Sequence, residues 1–377
     1  MNSIQSSNSS NPNSTKAYGL QPDSQPGAVA KDSLPAYRAV ILGCGERARQ
    51  HAPALTADPR IQVVALADVS KEAADAFNRD FELGAKIYSD IDDLLAQEQP
   101  DIAVIALWTH LHLPVFQACV KAGVRLVLCE KPMAATWGEC QTIAQIAEES
   151  GTILTFCHQR RFASGNRMVR ALLDEGQFGQ IERMDLFSPP HLLDCGTHSV
   201  DQALSFNHDL PVKWVHGAVD LSSTVNFFGI KAEGMSTGVF LFENEVHATI
   251  RTGRQDMDFW GGVRVTGSEG FVEVFWDGQI RRAILFGDPS WTFPTFEEVP
   301  GEQMIGVVRN AIDALESGSE PELSYRKAMR ATEILFALYE SARRHERIEL
   351  PLSGVTGNPL HEMLDAQGQQ FVQTAIA

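Results

Sequence analysis

An α/β fold in two parts is what this sequence predicts: an N-terminal parallel sheet covered by helices on both faces, then an α+β domain with an open, mostly antiparallel sheet. Three observations predict it. Short β-branched runs alternate with helical patterns over about 120 residues, as parallel strands joined by crossover helices do. Beyond about residue 160 the runs lengthen and alternate apolar with polar residues, with turn signals such as GSEG at 267–270, as in an antiparallel meander with one wetted face. The 377 residues also exceed what one core ordinarily holds.

Residues 1–36 are polar, low in complexity and without periodicity, and read as a disordered tail. Order begins at Tyr37. Strands are predicted at 38–42, 62–67, 102–106, 125–129 and 152–157, and helices at 47–57, 71–81, 91–96, 114–122 and 136–150. This gives a first domain over 37–158. A second domain, 159–350, starts with helices at 166–175 and around 198–206. Strands follow at 213–219, 236–242, 246–252, 262–266, 270–276 and 281–286, then helices at 303–317 and 325–345. The Phe-rich strands at 227–242 read as core or as a contact between copies. Residues 351–377 form a C-terminal extension of ambiguous pattern.

Composition excludes several function classes. A net charge of −17, from 31 basic and 48 acidic side chains, repels nucleic acid and anionic lipid, and no basic patch offsets it. No apolar run approaches the ~20 residues that span a bilayer. The N-terminus lacks the basic start and apolar stretch of a secretory signal. The six cysteines, Cys44, Cys119, Cys129, Cys140, Cys157 and Cys195, form no C-x-x-C pair and sit mostly in apolar stretches. They read as reduced thiols of a cytoplasmic protein.

Gly43-Cys44-Gly45-Glu46-Arg47-Ala48 is a G-x-G-x-x-A turn between a strand and a helix. The first glycine permits the tight turn. The second lets backbone approach a pyrophosphate, and the small third residue allows close packing. The helix N-terminus then offers free N–H groups to the anion. Asp68 ends the next strand, 20 residues after Ala48, where a carboxylate accepts from ribose hydroxyls and repels a 2′-phosphate. The reading is a Rossmann domain binding NAD, with NADP possible because Ser70 and Lys71 follow. The plain alternative is a flavodoxin-like glycine turn with no dinucleotide. Glu46 is an oddity beside an anion site, unless it points to solvent.

Two further stretches carry chemistry. LVLCEKPM at 126–133 ends a buried strand in Glu130-Lys131-Pro132, at the sheet edge where open α/β folds bind ligands. Pro132 cannot continue the ladder, so Lys131 projects toward the cleft and can polarise a hydroxyl or carbonyl oxygen. In LLDCGTHSVD at 192–201, Asp194, His198 and Asp201 share a helical face, with Gly196 making the first turn irregular. An Asp–His pair near a lysine handles protons well. The plain alternatives are a surface Glu–Lys pair and a capped helix with a satisfied histidine.

These stretches in this order resemble the glucose–fructose oxidoreductase / inositol dehydrogenase / rhizopine catabolism (Gfo/Idh/MocA) oxidoreductases, from about Tyr37 to Leu350. His51, His112, Gln159-Arg160-Arg161-Phe162, GSEG and ALYESARR add to the resemblance. It implies an NAD(P)-dependent dehydrogenase of sugars, inositols or related polyols. Lys131, Asp194 and His198 are implied as catalytic, and the Lys131–Pro132 peptide as often cis. Gly43, Gly45, Glu46, Arg47, Ala48, Asp68, Leu107, His112, Glu130 and Lys131 are implied at the cofactor. Trp108, Lys131, Arg160, Asp194 and His198 are expected at the substrate; Arg160 and Arg161 read either as binding a substrate carboxylate or phosphate or as capping the strand end, and Trp108 either as stacking on a sugar ring or as packing under its loop. The expected mechanism has His198 taking the hydroxyl proton with Asp194 orienting it, and Lys131 stabilising the oxyanion. A homodimer or homotetramer through the C-terminal sheet is expected, with no nucleic acid, membrane or metal partner; His110-Leu111-His112 lacks the company of a metal site. Leu107, Trp108 and Thr109 depart from the family's common Thr-Pro-Asn, and the stretch between Gly179 and Asp194 looks short. Two other activities fit the pattern: glycoside cleavage with transient oxidation and no net redox, and a non-catalytic dinucleotide-binding regulator.

Overall fold

A computed structural model of the chain describes residues 37–227, 229–253 and 261–366. Six parallel strands form the first sheet: β1 (Tyr37–Leu42), β2 (Ile61–Ala67), β3 (Lys86–Tyr88), β4 (Ile102–Ile105), β5 (Leu126–Cys129) and β6 (Ile153–Phe156). Their order is β3-β2-β1-β4-β5-β6. Successive residues feed opposite faces. Ala39 and Ile41 of β1 pack toward α1 (Ala48–Thr56) and α2 (Lys71–Asp80). Val40 and Leu42 pack toward α3 (Ile91–Glu98), α4 (His112–Lys121) and α5 (Trp137–Ser150). Both faces are covered, so the strands read as unbroken apolar runs rather than alternating ones. The strand order reverses between β1 and β4, and the loops after these two strands open a crevice at the carboxyl edge. Sequence reading missed β3, a three-residue strand with no fully buried position.

The second sheet has eight strands in the order β13-β12-β11-β7-β10-β9-β8-β14. They are β7 (Ile181–Ser188), β8 (Val212–Phe227), β9 (Ile230–Phe242), β10 (His247–Thr252), β11 (Gly262–Gly267), β12 (Gly270–Phe275), β13 (Ile280–Leu285) and β14 (Ile348–Glu349). The expected meander is corrected in its middle: β7 lies between β10 and β11 and runs parallel to β10, while the other pairs are antiparallel. The stretch that looked short thus holds a central strand. In β10, His247, Thr249 and Arg251 are exposed while Ala248, Ile250 and Thr252 are buried, so one face is dry and the other wetted. The dry face packs on α7 (Thr197–Phe206) and α9 (Tyr325–Arg344), within the core cluster that also takes in α6 (Ser164–Asp174). Strands β8 and β9 run well beyond the predicted 213–219 and 236–242 and make one long hairpin.

The two sheets share helices. Met304, Val307, Val308 and Ala311 of α8 (Glu302–Ser317) pack with β1, α1 and α2, against the first sheet rather than the second. The Phe156 N–H donates to Leu323 O at 3.1 Å, joining β6 to the entry of α9. The described part of the C-terminal extension includes α10 (Pro359–Ala366). Thr356 and Gly357 carbonyls accept from Gly138 N–H (2.9 Å) and Trp137 N–H (3.2 Å), satisfying free donors at the start of α5. Residues 1–36, Phe228, 254–260 and 367–377, which include the predicted tail, lie outside the described residues.

Candidate active site

The glycine turn is built as its residue types require. Gly43 has φ +94°, and a Cβ there would meet Ala106 O at 2.5 Å and Leu107 Cδ2 at 2.9 Å. Gly45 is different: a Cβ would meet nothing within 4 Å, so its surface faces open crevice. Ala48 is fully buried against the sheet, and Glu46 is exposed. The Asp68 carboxylate accepts from Cys44 N–H and from Ser70 N–H, each at 2.8 Å, and so fixes the turn to the end of β2. Each carboxylate oxygen keeps lone-pair capacity for a further donor. Arg47 forms no ion pair among the described residues. The open backbone at Gly45, the uncommitted Arg47 and the carboxylate at the end of β2 fit a dinucleotide diphosphate and a ribose diol.

Across the crevice, the Lys131–Pro132 peptide is cis, and the Lys131 side chain leaves β5 with 1% of its surface exposed. Its Nζ donates to Asp194 Oδ1 at 2.8 Å and to Asp194 O at 3.3 Å. An ammonium has three donors, so one remains for a ligand oxygen. Asp194 sits in a π-helical turn, Leu192–Gly196, that precedes α7. His198 lies in the first turn of α7, buried, with no hydrogen-bond partner for Nδ1 among the described residues. Burial, and then the charges of Lys131, Arg160, His158 and Arg47, hold its imidazole well below the usual range. This basic surrounding keeps the ring neutral. Two stretches far apart in sequence therefore converge on one gap.

The family model for an oxidoreductase family with an NAD-binding Rossmann fold, GFO_IDH_MocA, matches residues 37–158. Over those residues the chain is similar to the Gfo/Idh/MocA oxidoreductases. It is 25% identical to D-apiose dehydrogenase of Paraburkholderia graminis, over 83% of this chain and 90% of that one. It is 29% identical to inositol 2-dehydrogenase of Pseudomonas syringae pv. syringae, over 40% of this chain and 42% of that one. Among solved structures it resembles the WlbA dehydrogenase of Bordetella pertussis, crystallised with NADH and UDP-GlcNAcA: TM-score 0.71, 22% identity, covering 84% of this chain and 99% of that chain. No helix among the described residues is long and apolar enough to cross a membrane.

The remaining residues fall into three groups. Some brace the crevice. Glu130 is buried, and its Oε1 lies 2.8 Å from His51 Nε2, tying the end of β5 to α1. Burial pushes the Glu130 carboxyl up, but the His51 hydrogen bond and the charges of His51, Arg47 and Lys131 outweigh it and hold it below the usual range. Cys157 completes this group, with ligating atoms within 4.8 Å of one another. His112 is also buried, its ring nitrogens 3.2 Å from Leu107 O and Met133 O, so it links the loops after β4 and β5. The cysteines are free, and burial pushes Cys44 and Cys119 up to about 12.

Other residues corrected the sequence reading. Asp194 pairs with Lys131 rather than with His198, because the π turn swings its carboxylate toward β5. Asp201 does not join them. It takes a bidentate pair from Arg161 at 2.8 and 2.9 Å, in a buried network with Asp209 and Glu322. Arg161 is therefore structural, whereas Arg160 rests on the Trp276 ring at 5.4 Å. Trp108 is 59% exposed and edge-on to His110.

A third group was not foreseen. The tip of the β8–β9 hairpin lies over the site: the Phe227 ring is 5.6 Å from Lys131 Nζ, and Gly229 abuts Trp108 and His110. His158 packs edge-on against His198 at 5.8 Å and bonds Thr197 Oγ1 at 2.9 Å. Buried Glu233 of β9 accepts from Leu192 N–H (2.8 Å) and Tyr339 O–H (2.6 Å) and so anchors the π turn. A glutamate inside an otherwise alternating strand was the available signal for it.

Proposed function

We propose that the protein is an NAD-dependent dehydrogenase that interconverts a hydroxyl and a carbonyl group of a sugar or polyol. The observation that carries this reading is the Lys131–Asp194 pair bridging β5 and the π turn beside a neutral, buried His198. When bound, NAD supplies the acceptor for a hydride leaving the carbon that bears the hydroxyl. His198, kept neutral, accepts the hydroxyl proton. Lys131 directs its third donor at the same oxygen and stabilises the charge that develops there. Asp194 holds the ammonium in place. The products are a carbonyl compound, NADH and one proton. The similarity to an apiose dehydrogenase and an inositol dehydrogenase supports a polyhydroxylated substrate.

Asp68 supports NAD over NADP. The cations and hydroxyls near it are committed: Ser70 Oγ caps α2 by accepting from Ala73 N–H, and Lys71 pairs with Asp75. The six free thiols suit a reducing compartment, so we assign the protein to the cytoplasm, and the wetted face of the eight-stranded sheet to a contact between copies.

The test is a panel of sugars, inositols and sugar acids, scored by NADH absorbance with either cofactor. With a turned-over substrate, Lys131→Met and His198→Ala should each lower kcat by about 10²–10⁴-fold while NADH still binds. Normal turnover in both variants would refute the assignment.

A further inference from the structure

Arg160 is held ready for a partner that the described residues do not supply. It follows β6 in the turn Gln159–Phe162, half-buried, and forms no ion pair among the described residues. Its Nε is buried without a hydrogen-bond partner. The side chain is nonetheless fixed. Its guanidinium lies over Trp276, and Trp276 Nε1 donates to Ser199 Oγ at 2.7 Å. Asn166 Nδ2 donates to Arg160 O at 2.8 Å and to Trp276 O at 3.1 Å, locking the arginine and its platform together. Asp277 bears on the charge but is exposed and makes no ion pair with it.

A guanidinium cannot lose its proton, and burying it without an anion is unfavourable. The two other cations of the cleft are otherwise placed. Lys131 is neutralised by Asp194. Arg47 belongs to the glycine turn, beside the open backbone at Gly45 and the start of α1, where a dinucleotide diphosphate fits. Arg160 stands among Cys195 and His198, next to the reacting gap. Two unspent polar atoms, Arg160 Nε and His198 Nδ1, thus flank one space.

We propose that the substrate is a sugar acid, an aldonate or uronate, whose carboxylate pairs with Arg160 while one of its hydroxyls lies between Lys131 and His198. This rests on the dehydrogenase reading above and narrows its substrate class. A single guanidinium matches the one negative charge of a carboxylate better than the two of a phosphate monoester. The reaction oxidises H–C–OH of the acid to C=O, passes the hydride to NAD⁺ and releases the proton through His198.

The experiment compares substrates that differ only in charge: glucuronate with its methyl ester, gluconate with sorbitol, and glucose with glucose 6-phosphate. We expect kcat/KM for the acid of a turned-over pair to exceed that of its neutral partner by about 10–100-fold, the worth of a charge-assisted bidentate contact. Arg160→Gln should collapse that ratio toward one, chiefly by raising KM for the acid. Arg160→Lys should restore part of it. NADH fluorescence checks that both variants fold and bind cofactor. Equal rates for acid and ester, a preference for the phosphate, or an Arg160→Gln defect shared by acid, ester and NADH affinity would each overturn the inference. Turnover of neutral sugars without acids sinks this inference and leaves the dehydrogenase reading standing; no NAD reduction by any pair sinks both.

Discussion

Gly43 and Gly45 stand two residues apart and differ in what excludes a side chain. At Gly43 the protein itself does, through φ +94° and the Ala106 carbonyl. Gly43→Ala should therefore destabilise the apo protein by about 1–3 kcal/mol or more, measured by urea unfolding. At Gly45 no protein atom is near. Gly45→Ala should leave apo stability almost unchanged and weaken NADH binding, read by fluorescence titration; unchanged affinity would remove the diphosphate from that surface. His198 gives a prediction in pH. Burial and the neighbouring cations depress its imidazole, so the neutral, proton-accepting form persists below the ordinary value of about 6.5. The rate of hydroxyl oxidation should stay level as pH falls through that value and decline only further down. A profile with its acid limb at 6.5 would mean that another group accepts the proton.

At the scale of elements, the turn that carries Asp194 is shaped by residues distant in sequence. Glu233 reaches from β9 to Leu192 N–H, and Tyr339 of α9 donates to the same carboxylate. Tyr339→Phe leaves a buried carboxylate oxygen short of a donor, at a cost of about 1–3 kcal/mol, and frees the turn to shift. It should lower kcat more than it raises KM, whereas a purely structural role would lower thermal stability alone. The network around Arg161 joins the turn after β6 to α7 and to the entry of α9. Arg161→Met leaves buried carboxylates without their cation and should cost about 3–5 kcal/mol in unfolding free energy. The five strands and five helices of the parallel-sheet domain that the sequence made plain were those with long apolar runs or strong caps, such as the Thr136 and Glu139 capping box of α5. Strand β7 was missed because Glu182, Arg183 and Asp185 interrupt it, although Met184, Leu186 and Ser188 alternate inward. The π turn was foreshadowed only by Gly196.

For the whole molecule, the pH dependence of stability follows from which groups are buried neutral. His112, His158 and His198 are all held below the usual imidazole range, chiefly by burial. In the unfolded chain they take up protons near pH 6.5, and in the folded chain they do not. Below that pH the unfolded state binds more protons, so stability falls as pH drops. Asp209 and Glu322 are held below the usual carboxylate range: burial raises them, and Arg161 and Lys327 more than reverse it. Their contribution is present above about pH 4 and is lost as pH falls through their folded values. The two effects add in successive windows. The apo protein should melt at progressively lower temperature from about pH 6.5 to 5, before the carboxylates titrate, and His112→Gln should flatten that first slope. A melting temperature constant over that interval would contradict the burial of these rings.

The sequence by itself determined the parallel sheet and the glycine turn, and it singled out Lys131, Asp194 and His198 as candidates, because local patterning and turn chemistry are written in neighbouring residues. Tertiary structure alone decided which partner each of them takes. Asp194 turned to Lys131, Asp201 to Arg161, and Arg160 was left without an ion pair among the described residues, since such pairings depend on how β5, the turn after β6 and α7 meet in space. Helix α8 likewise came back to cover the first sheet because an apolar face buries itself wherever the fold leaves room, not where the chain order places it.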